Sequence, residues 1–302
     1  MEQPREAAPK EHMLDVLPQV LVSGITLGTI YGLIAFGYQL TYVTSRTVNF
    51  GQGEALAVGA LVGLSLTPML GYWAMLPVVI VFGGLYGLVV ERIAVRPTLD
   101  SPSEGWILAT IAFGIVAKNV SENIWGKEDL PFPSPLPPLP IEIGGAFVMP
   151  TELLIVGGAL LLMVAIELFN RFTLLGRAFA ATADEREAAG LVGIDTEKVI
   201  SGSFALSCAT AACAGVLVAP VTLTGPGMGL VLALKGFSAA ILGGLTSGLG
   251  AVVGGLLIGI AEALTAFYIS TGYKEVPGLL ILLAALTLKP EGLFGRVLAK
   301  KV

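Results

Sequence analysis

The sequence is poor in the groups from which most active sites are built. Its single histidine, His12, lies in a polar opening stretch, and its only cysteines are Cys208 and Cys213. Without a second histidine or a cysteine pair set for a metal, a catalytic zinc site is not supported. The two cysteines fall on different faces of a helix, so they read as small packing residues rather than a disulfide. Charged residues are scarce at 13%, where a soluble domain carries about 25%. No separate soluble domain fits into what remains. No GxxxxGK[ST] loop is present, which excludes ATP hydrolysis by the P-loop route. The absence of an arginine run excludes a voltage sensor, and the TVGYG filter signature is missing. No serine–histidine or paired-aspartate site occurs in the apolar segments, so an intramembrane enzyme is remote. A net charge of −5 argues against a nucleic-acid partner.

What is abundant is apolar chain. Hydrophobic residues make up 55% and glycine occurs 39 times; the mean hydropathy is +0.84. Apolar runs lie near 19–43, 48–67, 71–91, 106–125, 151–169, 200–220, 232–247, 249–268 and 275–289. Each is about long enough to cross a bilayer, which takes roughly 20 helical residues. The expected fold is all-α: a polytopic membrane helix bundle of about eight or nine transmembrane helices. Residues 1–18 are expected to form a polar tail, 19–295 the transmembrane domain and 296–302 a second tail. The run at 232–247 is short and glycine-rich and reads equally as a tilted span or a re-entrant one. Placing 170–199 on the cytoplasmic side gathers Arg46, Arg92, Arg96, Arg171, Arg177, Arg186, Lys198 and Lys289 there. Lys127 and Lys274 then fall outside, a bias that predicts a cytoplasmic C-terminus. The proline-dense loop 126–150 becomes extracytoplasmic and stiff, either a connector or a docking surface.

Polar residues inside this apolar chain are the candidate functional groups. In VNFGQGE, Asn49, Gln52 and Glu54 interrupt the start of the second span. Asn49 and Gln52 have capping-box spacing, and Gly51 and Gly53 permit a broken helix end facing a polar solute. Glu262 lies within the eighth span, where a charge costs about 2.5–3.5 kcal/mol on insertion scales. It must meet a partner, a cavity or water. Lys118 and Glu122 share a helix face and are set to pair; with Asn119 and Asn123 they form either an interfacial ion pair or the vestibule for a polar or zwitterionic solute. Glycines recur four apart at Gly24–Gly28–Gly32, Gly59–Gly63, Gly83–Gly87, Gly250–Gly254 and Gly255–Gly259. They predict tightly packed helices and a possible dimer face.

The longest charged interruption runs from Asn170 to Val199. Within it, ADEREAAGLVGI reads as a short amphipathic helix. Asp184, Glu185, Arg186 and Glu187 open it; Ala188, Leu191, Val192 and Ile194 offer apolar surface; Gly193 ends it. Such a helix fits a groove in another protein or lies on the inner leaflet.

In combination these segments resemble the integral-membrane permeases of branched-chain amino acid ABC importers, of the LivH type. The resemblance runs from about Gly24 to Gly295. It rests on GITLGTIYGLIAFGYQLTY, NFGQGE, VERIAVRP, LLGRAFAATADEREAAGLVGIDTEKVI, KGFSAAILGGLTSGLGAVVGGLLIGIAEAL, ISTGYKEV and KPEGLFG. It implies a subunit of the bacterial inner membrane without an ATPase site or a cofactor of its own. The implied partners are membrane lipid, a LivM-like second permease, two LivG/LivF-like ATPase subunits that bind ATP and magnesium, and a periplasmic solute-binding protein. Residues 184–194 would be the coupling helix. Asp184, Glu185, Arg186 and Glu187 would orient the contact, and Ala188, Leu191, Gly193 and Ile194 would form its packed part. Asn49, Gln52, Glu54 and Glu262 would belong to the pathway. Leucine-type members often have histidine in place of Gln52, so relatives carrying urea, short amides or aromatic acids are the implied alternative; apart from the resemblance, the residues also fit a self-sufficient secondary transporter that carries a large loop.

Overall fold

The computed structural model describes residues 16–99, 104–289 and 291–295. The tails expected over 1–18 and 296–302 lie outside these residues, His12 included, except that Leu17 and Pro18 already belong to the first helix. The helices in chain order are α1 Leu17–Ser45, α2 Gln52–Leu70, α3 Tyr72–Val90, α4 Gly105–Trp125 and α5 Pro150–Phe172. They continue with α6 Leu174–Asp184, α7 Arg186–Leu191, α8 Thr196–Val218, α9 Met228–Gly243, α10 Gly248–Tyr268 and α11 Val276–Leu288. Among the described residues, 8 helical segments are long and apolar enough to cross a membrane, and α9 is a shorter apolar helix. This is the polytopic bundle the composition predicts. A helix satisfies its own backbone polar groups, the condition for crossing hydrocarbon.

Contacts between glycines and their neighbours fix the direction of each helix. Going down α1, a Cβ on Gly24, Gly28 or Gly32 would meet Ile260, Leu256 and Val252 in turn, so α1 and α10 are antiparallel. Gly83 lies on Cys208 and Ala209 and Gly87 on Phe204, so α3 and α8 are antiparallel; Gly59 and Gly63 meet Ala212 and Val216, so α2 and α8 run parallel. Thr44 donates to Ser203 and Ser207 to the carbonyl of Gly37, so α1 and α8 are also antiparallel. The meeting of Gly243 with Gly250 and of Gly254 with Ala239 makes α9 antiparallel to α10.

Because α8 and α10 run the same way, α9 must return the chain between them. The run that read as tilted or re-entrant is therefore a short return segment of 16 residues. At 1.5 Å per residue it is about 24 Å long, less than a full hydrocarbon thickness. Residues 219–227 lead into it, and there Thr224 pairs with Leu130 of the long loop.

The glycine spacing is used up inside the chain. Every predicted pair packs against a helix of the same bundle, so none is left over as a dimer face. Removing the Cβ lets backbones approach and gain dispersion contacts, the driving force for helix association in lipid. Around these seams α1, α2 and α8 are the most enclosed helices; Leu33, Leu56 and Tyr38 are buried in one cluster, and Phe204 of α8 is buried with Val90 and Val95 around the end of α3. The peripheral helices α4, α5 and α11 turn large apolar side chains outward, such as Leu108, Leu161 and Leu283.

The long loop between α4 and α5 carries a feature the sequence reading lacked. Ile141–Ile143 and Ala146–Val148 form an antiparallel hairpin, and Gly144 and Gly145 both have positive φ, 58° and 85°. A two-residue turn of that kind favours glycine. The loop is seated on the bundle: Phe132 is buried edge-on to Tyr72, and Leu130 and Thr224 exchange two backbone hydrogen bonds of 2.8 Å.

Candidate functional site

The chain between α1 and α2 turns back into the bundle, so the first two turns of α2 are buried. The capping box predicted for Asn49 and Gln52 does not form: the N-cap is Gly51, without a side-chain cap. Both amides have closer buried partners. Asn49 Oδ1 accepts from the Gly51 N–H at 3.0 Å and its Nδ2 donates to Cys208 Sγ at 3.3 Å. Gln52 Nε2 donates to the Ile34 carbonyl at 3.0 Å, and its Oε1 accepts from Ser207 Oγ at 3.2 Å. These residues bind α1, α2 and α8 together, and neither borders a described cavity.

Glu54, two residues further along α2, does border one. The cavity is about 570 Å³ and lies between α1, α2, α4 and α9. Glu54 is 8% exposed, and its Oε2 has no hydrogen-bond partner among the described residues. Lys118, Asn119 and Glu122 of α4 and Phe237 of α9 also line the cavity, and Glu54 packs against Gly114 of α4. Lys118 Nζ lies 3.9 Å from Glu122, which is also 3.8 Å from Lys127. The Lys118–Glu122 ion pair is thus present, and the same residues line the cavity. Phe50 forms an apolar wall, stacked on Trp106 and edge-on to Phe237.

Glu262 is buried where α1, α9 and α10 meet. Its Oε2 accepts from Tyr31 Oη and from Lys235 Nζ, both at 2.9 Å. Lys235 reaches on to Glu275 at 3.7 Å and sits over the Tyr31 ring. Two cavities of about 280 and 240 Å³ share Lys235, Glu262 and Glu275 as lining. Sequence reading flagged Glu262 but gave it no partner. The available signal was a second isolated charge of opposite sign, Lys235, in the adjacent apolar run.

At the opposite end lies the charged segment. Read from sequence as one amphipathic helix, it divides in two. Asp184 is the last residue of α6, Glu185 is extended with φ −154°, and α7 is a separate helix of 6 residues. Gly193 has φ +89° and ends it, with the Ile194 N–H closing onto the Ala189 carbonyl at 3.1 Å. Ala189 is buried and anchors α7, while Asp184, Glu185, Glu187 and Ala188 are exposed and Arg186 and Ile194 half-buried. Leu191 and Val192 project furthest, at 90% and 77% exposure.

The elements around this projection are braced. Asp195 caps α8 by accepting from the Lys198 N–H. The Lys198 ammonium, hydrogen-bonded to it, holds the Asp195 carboxyl below the usual carboxylate range. Residues 91–95 widen into a π turn before Pro97, a feature frequent at functional sites. There buried Glu91 accepts from Arg96 at 3.2 Å and Ser201 at 2.9 Å, and Arg96 also reaches Glu197 at 3.2 Å. Arg46 Nη2 donates to the Ala183 carbonyl. A cavity of about 370 Å³ lies beside α6, lined in part by Asn170, Arg171 and Asp184.

Comparison with known proteins gives a consistent result. Residues 20–286 match the family described as the permease component of the branched-chain amino acid transport system. The chain is 34% identical over 299 residues to the high-affinity branched-chain amino acid transport system permease protein LivH of Escherichia coli K12. That alignment covers 94% of this chain and 97% of the relative. It is 31% identical over 300 residues to the permease protein BraD of Pseudomonas aeruginosa, with the same coverage. With a probable LivH of Methanocaldococcus jannaschii it shares 30% over 295 residues, covering 91% and 92% of the two chains.

Proposed function

The chain belongs to the family of branched-chain amino acid transport permeases, and from that premise we propose that it works as one half of an ATP-driven import channel. It is an integral-membrane transporter component. The observation that carries the reading is the family match along nearly the whole chain, joined to a projecting apolar knob, Leu191 and Val192, on a braced helix between two spans. A knob of that kind is suited to a groove in a soluble partner.

In this reading α7 and its flanks, Asp184 to Ile194, dock into an ATPase subunit. Two such subunits bind ATP and magnesium, and their closure moves the knob. The movement passes through the Glu91–Arg96–Glu197 brace into α3 and α8 and so opens the bundle alternately to either side. A second, LivM-like permease completes the pathway, and a solute-binding protein delivers the cargo from outside. The chain lies in the cytoplasmic membrane with its C-terminal end inside, since Arg46, Arg96 and Lys198 gather at the α7 end as the positive-inside rule requires. Glu54 and Glu262 border the pathway, and Asn49 and Gln52 hold its wall. Relatives named for branched-chain amino acids favour those solutes over urea, short amides or aromatic acids.

The test is uptake by proteoliposomes holding this chain with its co-purified partners. ATP inside the ATPase-facing compartment should drive accumulation of L-leucine, and removal of magnesium should abolish it. Accumulation driven by a proton or sodium gradient without ATP would overturn the proposal.

A further inference from the structure

We propose that the cavity between α1, α2, α4 and α9 is a transit site for a zwitterionic α-amino acid with an aliphatic side chain, its ammonium on Glu54 and its carboxylate on Lys118. The inference deepens the permease reading above and rests on it. The first observation is the carboxylate of Glu54. It is more than nine-tenths buried, borders the cavity, and leaves Oε2 without a hydrogen-bond partner among the described residues. A buried charged oxygen without a donor is costly to maintain, and a ligand ammonium would remove that cost.

The second observation is the α4 lining. Lys118 makes only a loose pair with Glu122, at 3.9 Å, and Glu122 divides itself between Lys118 and Lys127. A lysine carries three donors, so Lys118 retains N–H groups for an incoming carboxylate. One cavity thus offers a vacant acceptor and a vacant donor, each charged. A simple anion would be repelled by Glu54 and Glu122, and a simple cation would leave the free N–H groups of Lys118 unused; a zwitterion engages both.

The third observation is the remaining lining. Phe50, Phe237 and Leu234 supply apolar surface, and the ring contacts of Phe50 fix its position. An aliphatic side chain would be buried there, while a strongly polar one would lose its hydration without replacement. The volume of about 570 Å³ falls in the ordinary range for small-molecule sites. A transit site need only be weak, because tight binding at this point would slow release.

The test uses the full chain in the assembled complex in proteoliposomes, with Leu234→Cys as a reporter. Both native cysteines are buried, so N-ethylmaleimide reports on the introduced thiol. L-Leucine should slow its labelling. L-Leucinamide, lacking the carboxylate, and 4-methylpentanoate, lacking the ammonium, should each need roughly tenfold or more higher concentration, the effect of one charge-assisted hydrogen bond. Glu54→Gln should erase the difference between leucine and 4-methylpentanoate. Lys118→Met should erase that between leucine and leucinamide, and at 38% side-chain exposure it decides the matter if Glu54→Gln fails to assemble. ATP-driven leucine uptake without protection of the reporter, or protection indifferent to both variants, overturns the site and leaves the permease reading standing. Absence of ATP-driven leucine uptake by the unaltered complex overturns both.

Discussion

Lys235 Nζ and Glu262 Oε2 lie 2.9 Å apart between α9 and α10, two antiparallel helices whose backbones touch at Gly243 and Gly254. The pair joins a short return helix to the bundle at a depth where neither charge is stable alone. Removing Lys235 leaves buried Glu262 with only the Tyr31 hydroxyl, and removing Glu262 leaves Lys235 with only the more distant Glu275; breaking a buried pair in this way costs about 3–5 kcal/mol. Lys235→Met and Glu262→Gln should each lower thermal stability in detergent sharply, and the double variant should be more stable than the Lys235→Met protein. Additive losses would show that the two charges do not depend on each other.

The glycine seam between α1 and α10 makes a second prediction. A Cβ at Gly28 would meet the backbone of Gly255 and Leu256 at 2.8 Å, and backbone has little room to yield. Gly28→Ala should cost about 1–3 kcal/mol through overpacking. Gly157→Ala, with nothing within 4 Å of the new atom, should leave the melting temperature unchanged. The two melting curves, recorded side by side, check the claim; equal effects would contradict the seam.

Gln52 has two hydrogen bonds within the bundle. Gln52→Ala removes both bonds and empties a fully buried site between α1, α2 and α8, although Ser207 keeps its bond to the Gly37 carbonyl; it should destabilise by about 1–3 kcal/mol. The expected signature is a lower melting point together with lower surface amount. Normal stability with altered leucine uptake would instead place Gln52 in the pathway.

Leu191 offers a cleaner test of coupling, because at 90% exposure it supports nothing in this chain. Leu191→Asp should leave the melting temperature within about 0.5 kcal/mol equivalent. In the assembled complex it should cut solute-stimulated ATP hydrolysis about tenfold, the effect of losing a central apolar contact, with docking of the solute-binding protein intact. Lost docking with normal hydrolysis would reverse the assignment.

Most of the architecture was legible because hydropathy alone dictates it. The nine apolar runs predict the helices to within a few residues, since a backbone in hydrocarbon has few alternatives. Details that depend on packing were not legible. Whether 232–247 returns the chain depends on Gly243 meeting Gly250, which no local pattern encodes. Of the two readings open for Asn49 and Gln52, the capping box does not form, because local spacing is visible in sequence whereas Cys208 and Ser207, their partners on α8, are distant in it. The hairpin was overlooked beneath the surrounding prolines, although Gly144–Gly145 between two β-prone triplets carried its signal. In the charged segment, the stop at Gly193 was readable and the break at Glu185 was not.

The central claim is that the segment from Asp184 to Ile194 is gripped by a separate ATP-hydrolysing subunit. The most direct measurement is photocrosslinking from a benzophenone placed at position 191 in native membranes, followed by identification of the product. The account predicts a crosslink to a nucleotide-hydrolysing protein that shifts when ATP and vanadate are added. A crosslink to lipid alone, or reaction only with a reagent confined to the exterior, would contradict it.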